Sequence, residues 1–209
     1  MMRIDFLKTT PDRADRYFVK FEDESTMRLY RQTVEDFSLY TGKELSDEEM
    51  AALREAAGRM SAKMRAVRIV SASSITKRDL EQRLVRKGED PTQAKEAVEW
   101  MSDLSLLDDA RVAEQVVSRC IAKGYGLARA KQALYEKRVP KQYWDDALAD
   151  YPDMDEKIED FLRSRLDGNS DQKDVKRAID ALMRRGHNYG AIRRALNQLR
   201  LEMDEFPEE

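Results

Sequence analysis

Few side chains in this 209-residue chain carry groups suited to covalent or acid–base chemistry. The single histidine, His187, follows Gly186 in what reads as a turn between helices, so a solvated or capping histidine is expected there rather than a general base. The single cysteine, Cys120, falls on the apolar stripe of Val112, Val116, Val117 and Ile121. No histidine accompanies it, so a packed thiol is expected rather than a nucleophile. One cysteine also excludes an internal disulfide, in keeping with a reducing cytosol. Asp108-Asp109 is the most conspicuous acidic pair. A metal ion would need further carboxylates or histidines at ligand spacing, and none follows, whereas these aspartates can cap a helix that opens here. Neither GxxxxGKS, GxxxxGKT nor GxGxxG occurs, which argues against a nucleotide-binding loop. No catalytic residue, cofactor or metal is expected, and the chain does not read as an enzyme.

The cations carry more information. Arg119, Lys123, Arg129 and Lys131 cluster around the Lys-Gly-Tyr-Gly turn at 123–126. Arg163, Arg165, Lys173, Lys176, Arg177, Arg184, Arg185, Arg193 and Arg194 crowd a later segment, where 163–200 holds ten Lys/Arg against four Asp/Glu. On helices, Arg177, Arg184 and Arg185 should project near one another and can track phosphates. Tyr125 and Tyr189 are the aromatics best placed to stack on bases, and with so few, backbone contact is expected over base reading. The last nine residues hold five acids and no base. A basic segment closed by an acidic end suggests a polyanion partner, with the end as screen or competitor. Solvated helix faces explain the same charges equally well, and about half of these cations are expected to contact nothing.

The elements that must position these residues are mostly helices. Charged residues are 38% of the chain and aromatics 8%, which suits slender helices with wet faces, and the net charge is −3. No run of about 18 apolar residues exists to span a membrane, and MMRIDFLKTT lacks the organisation of a secretory signal, so a cytoplasmic protein is expected. Residues 1–45 differ from the rest. Ile4 and Phe6 alternate with Arg3 and Asp5, Tyr17, Val19 and Phe21 alternate with Phe18, Lys20 and Glu22, and Met27 and Leu29 follow a polar turn. This predicts a small antiparallel sheet. Thr33 with Asp36 predicts a short helix to about Tyr40, and Ser46 with Glu49 opens a long one. The long helix carries the stripe Met50, Leu53, Ala57, Met60, Met64, Val67 and Val70 before Ser71–Ser74 interrupts it.

From there a repeat is visible. Leu80, Leu84 and Gly88 correspond to Ala130, Leu134 and Arg138, then to Ala178, Leu182 and Gly186. In the next helix Ala94, Ala97, Val98 and Met101 become Trp144, Ala147, Leu148 and Tyr151, then Ile192, Ala195, Leu196 and Leu199. Trp100 and Trp144 read as anchors between helices. Asp90-Pro91, Val139-Pro140 and Asn188-Tyr189 mark where these helices begin. Arg138 fills a glycine slot, at a cost of roughly 1 kcal/mol if that slot is left-handed. The expectation is a mainly α protein of three tandem three-helix repeats, forming an elongated rod that can curve, behind a small N-terminal β element. The boundaries are a β-rich extension with a short helix (1–45), a long helix and first repeat (46–106), second repeat (107–152), third repeat (153–201) and acidic tail (202–209).

LLDDARVAEQ (Leu106–Gln115), KGYG (Lys123–Gly126), LxxxLxxKG (Leu80–Gly88) and RRGHNYGAIRRAL (Arg184–Leu196), in that order and spacing, resemble the RecX family, bacterial regulators of the RecA recombinase. The resemblance covers roughly residues 60–199, and the first sixty residues are similar to a strand-rich extension that some members carry. It implies a small, mostly helical protein without catalytic residues that lies in the groove of the RecA–DNA filament. Such a protein hinders filament growth or promotes loss, and lowers ATP hydrolysis and strand exchange. The implied partners are the RecA filament and DNA, directly or through the filament, for a monomer without membrane attachment. The rival reading is a stand-alone nucleic-acid-binding protein that uses its basic third repeat. The departures are Ser105-Leu106, where a glycine-aromatic pair is common, and Ala128, where proline is frequent.

Overall fold

The computed structural model describes residues 1–10, 15–167 and 169–205. The chain divides into two compact units, Met1–Leu107 and Asp108–Glu209. The acidic end read from the sequence lies outside the described residues from 206 onward.

In the first unit, β1 (Met2–Thr9), β2 (Arg16–Phe21), β3 (Thr26–Tyr30) and β4 (Glu44–Leu45) form an antiparallel sheet ordered β3-β2-β1-β4. Alternation buries Val19, Phe21 and Leu29 on one face, as expected. On β1 the alternation breaks. Ile4 lies opposite Phe21 but Phe6 lies opposite Lys20, so Asp5 is the extra residue of a β-bulge. Phe6, which the sequence pattern places beside Ile4, is thereby turned outward and is 44% exposed, while Leu7 packs against the core. β4 was not read from the sequence, because two residues carry no periodicity.

Helix α1 (Arg31–Asp36) begins directly after β3 and has no side-chain cap. This corrects the reading from Thr33: that residue is buried inside the helix, not capping it, and the helix ends before Tyr40. Helix α2 (Asp47–Ala72) does begin on a capping box, with Glu49 N–H donating to Ser46 Oγ (3.1 Å) and Ser46 N–H to the Glu49 carboxylate (2.8 Å). Its first turns carry Met50 and Leu53 against the sheet. Farther along, Ala62 and Ala66 are fully buried against α3 (Lys77–Arg86) and α4 (Pro91–Asp103), while Met60 and Met64 are only half-buried. The buried stripe therefore turns toward small residues where a second layer of helices must come close. Leu80, Leu84, Ala94, Ala97, Val98 and Met101 complete that core. Arg65 and Ser61 of α2 reach Glu89 in the α3–α4 turn at 2.5 and 3.0 Å, and tie the turn down.

The second unit holds α5 (Asp109–Ala122), α6 (Leu127–Glu136), a 3₁₀ turn at Lys141–Tyr143, α7 (Trp144–Leu148), α8 (Asp155–Arg163), α9 (Gln172–Arg184) and α10 (Tyr189–Glu205). Asp108 caps α5 by accepting from Arg111 N–H at 2.9 Å. The helix expected after Val139-Pro140 is only five residues long and is entered through the 3₁₀ turn, so Tyr151 lies beyond it. Trp144 still anchors it, its indole N–H donating to the Val139 carbonyl at 3.0 Å. Two cores form, one around Val112, Val116, Val117 and Leu134, the other around Ile158, Leu162, Leu182, Ile192 and Ala195. The protein is thus mainly helical, with three-helix units in tandem after a small antiparallel sheet.

One device closes most of these helices. At the ends of α1, α3, α4, α5, α6 and α9 a residue with positive φ (Ser38, Gly88, Ser105, Gly124, Arg138 and Gly186) donates its N–H three residues back. The next residue donates five back, which is the Schellman arrangement. Arg138 at φ +54° and Ser105 at φ +55° confirm that the glycine slots they fill are left-handed.

Candidate partner-binding cleft

Two of these helix ends meet within the second unit. After Gly124 (φ +64°) the chain reaches Tyr125 and Gly126, which opens α6 without a side-chain cap. The orphan N–H groups at the start of α6 are met by the other turn: Gly126 N–H donates to the Arg185 carbonyl (2.9 Å) and Ala128 N–H to the Gly186 carbonyl (3.3 Å). The fit is tight enough that a methyl carbon at Gly126 would overlap the Gly186 carbonyl, and one at Gly186 would overlap the Arg129 backbone. Gly126 has φ −74°, an ordinary value, so contact rather than conformation demands glycine there.

His187 lies inside this junction. It is 5% exposed, closed in between the two turns. Of the two roles expected of it, the solvated one is set aside by this burial. Burial pushes its pKa down, with the nearby Gly124 carbonyl opposing and Arg185 assisting. Tyr151 supports the link from outside α7, its hydroxyl donating to the Tyr125 carbonyl at 2.6 Å, and burial pushes its pKa up to about 12. Cys120 is buried, and burial raises its thiol pKa, as befits packing.

Interlocking the turns gathers charge. A cleft of about 420 Å³ is lined by Lys123, Tyr125, Arg129, Ala181, Arg184 and Arg185. The Arg185 guanidinium stacks over the Phe161 ring at 4.5 Å, and the Lys123 ammonium stands 6.0 Å from the Tyr125 ring. Arg129 is held by Glu136 at 3.0 Å, which raises the Arg129 pKa and lowers that of Glu136. Four cations from two repeats thus border one opening, a setting suited to an anion.

The remaining cations are dispersed. Lys131 lines a neighbouring cleft of about 550 Å³ with Leu127, Met154, Asp155 and His187. Arg119, Lys173, Lys176 and Arg193 are exposed outside both clefts. Arg163 lies 3.7 Å from Glu159, Arg194 3.3 Å from Asp155, and Arg177 3.1 Å from Asp174. Arg177, expected beside Arg184 and Arg185, does not line their cleft. It sits two turns earlier on α9 and is engaged along its own helix. Tyr189 is exposed at the start of α10 and does not line either cleft. Sequence reasoning missed Phe161, Glu136 and the docking role of Gly126. The usable signal was that KGYG holds a second glycine no helix end required.

Among the described residues no group of three or more His, Cys, Asp or Glu side chains is placed to hold a metal ion, and no helix is long and apolar enough to cross a membrane. The family model "RecX, second three-helix domain" matches residues 108–148. "Regulatory protein RecX" of Clostridioides difficile (strain 630) is 24% identical over 98% of this chain and 97% of its own length. Its namesake from Vibrio campbellii (strain ATCC BAA-1116) is 30% identical over 66% of this chain and 91% of its own length. Among solved structures, "Crystal structure of regulatory protein RecX" superposes with a TM-score of 0.62 at 18% identity, covering 94% of this chain and 100% of that one. RecX from Lactobacillus salivarius gives 0.58 at 21% identity, covering 70% of this chain and 99% of that one. With its helical repeats, its interlocked turns and these relatives taken together, the chain belongs to the RecX family of regulatory proteins.

Proposed function

We propose that this protein binds the RecA–DNA filament and restrains its extension, ATP hydrolysis and strand exchange, without catalysing a reaction itself. The observation that carries this reading is the convergence of Lys123, Arg129, Arg184 and Arg185 on one cleft built by two repeats, in a chain whose relatives are named regulatory proteins. A cleft of this charge suits phosphates or acidic side chains on a polymer, and family membership points to the RecA filament as that polymer. It would act as a monomer in the cytoplasm, touching filament subunits and DNA.

The test is a titration of DNA-dependent ATP hydrolysis by RecA. Substoichiometric protein should slow hydrolysis, and the Arg184→Glu/Arg185→Glu variant should need at least tenfold more while melting at an unchanged temperature. Absence of any effect at molar excess over RecA would remove this function. Collapse of the variant's thermal stability would show that both arginines are structural. A stand-alone nucleic-acid-binding role is favoured by the exposure of Arg184 and Arg185 on the cleft. It requires tight binding to bare DNA at about 0.15 M salt without RecA.

A further inference from the structure

The outward face of the N-terminal sheet is unlike the rest of the surface. Its core face is occupied by Ile4, Val19, Phe21 and Leu29 packed against α1 and α2. On the opposite face the strand register sets Lys8, Phe18 and Arg28 side by side in one row across β1, β2 and β3, and Phe6, Lys20 and Thr26 in the next. Rings and cations therefore alternate in a chequer, with Phe6 and Phe18 as diagonal neighbours on adjacent strands. Phe6, Lys8 and Arg28 are exposed, and Phe18 and Lys20 are half-buried.

Two features set this face apart from ordinary solvated sheet. The bulge at Asp5 is what turns Phe6 outward, and uninterrupted pairing would have buried that ring with Ile4. In addition, the face is cationic in a chain of net charge −3. Of its acidic neighbours, Asp5 is engaged by Arg3 at 3.2 Å and Glu24 by Lys20 at 2.6 Å, both exposed pairs that a phosphate can outcompete, while Glu22, two residues past Lys20, is exposed as well. Among the described residues Lys8 and Arg28 have no carboxylate partner.

We propose that this face is a platform for single-stranded nucleic acid, its bases stacking on Phe6 and Phe18 and its phosphates paired with Lys8, Lys20 and Arg28. The chemistry selects that occupant. A sheet face with outward rings can meet unstacked bases, whose π faces a duplex keeps hidden, and flanking cations follow the backbone without reading sequence. The platform lies in the first unit and shares no residue with the Lys123–Arg185 cleft of the second, so it stands or falls independently of the filament reading.

The experiment uses the full chain carrying Arg184→Glu/Arg185→Glu, which reverses two of the four cleft cations, and fluorescence anisotropy with a labelled oligothymidine. Salt-sensitive binding should remain, and an equal length of duplex should bind at least tenfold more weakly. Phe6→Ala should weaken binding about tenfold, the usual scale for one lost base–aromatic stack. Lys8→Glu/Arg28→Glu should weaken it further and flatten the salt dependence, with melting temperature unchanged for both. Ultraviolet cross-linking should mark peptides that contain Phe6 or Phe18. The proposal is overturned if the parent variant does not bind, if neither substitution alters affinity, or if duplex binds equally well. Cross-links confined to other segments overturn it too, as does a concentration-dependent dimer abolished by Phe6→Ala, which would make a second copy the occupant.

Discussion

The turns that follow α3 and α9 occupy equivalent places in the first and third repeats, yet they answer to different demands. Gly88 has φ +90°, and a side chain there would point into open space. Gly186 has φ +83°, and a side chain there would enter the backbone of α6. The first turn is secured by side chains from α2, Arg65 and Ser61, on the Glu89 carboxylate. The other is secured by backbone hydrogen bonds to Gly126 and Ala128 and by a buried histidine. A repeated dihedral angle is thus common property of the repeats, whereas a close approach belongs only to the copy that docks. Glycine at 88 answers to one constraint, and glycine at 186 to two.

Substitution should expose that difference. Gly186→Ala combines left-handed strain with overpacking and should destabilise by about 2–5 kcal/mol in urea unfolding, against about 1–2 kcal/mol for Gly88→Ala. Equal losses would mean that the junction yields freely and the close approach has no energetic weight. A smaller effect should come from pH. The folded-state pKa of His187 is depressed by burial, so the unfolded chain takes up the proton first. Stability from this group is complete above about pH 6.5 and is lost as pH falls through that value toward the folded pKa. His187→Gln should remove this slope between pH 7 and 5, and a slope that survives would have to come from carboxylates instead. The smallest change is expected for Arg138→Gly. Relief of the left-handed residue is partly offset by glycine's freedom in the unfolded chain, which leaves a gain of no more than about 1 kcal/mol.

Much of this architecture was legible before the fold was seen, because helical periodicity reports burial directly. Leu80, Leu84, Ala130, Leu134, Ala178 and Leu182 are all buried where spacing put them. What stayed hidden depended on contacts between segments distant in sequence. The bulge at Asp5 is a property of pairing with β2, and no local pattern announces it. The exchange of Met60 and Met64 for Ala62 and Ala66 follows from how near α4 lies to α2, which hydrophobicity cannot state. At the cleft, Lys123, Tyr125, Arg129, Arg184 and Arg185 were all singled out from charge and turn chemistry. Their meeting required two turns some sixty residues apart to interlock. Phe161 and Glu136, which orient two of those cations, looked like ordinary core and surface.

Helix α2 has one further consequence. A single run of 26 residues, without a proline, lies under the sheet at one end and supplies the first helix of the opening repeat at the other. The appendage therefore cannot be clipped away cleanly: cutting before Ser46 would leave Met50 and Leu53 as a greasy, uncovered spar. For the same reason a strand pulled against the sheet would tug on that repeat through a continuous strut.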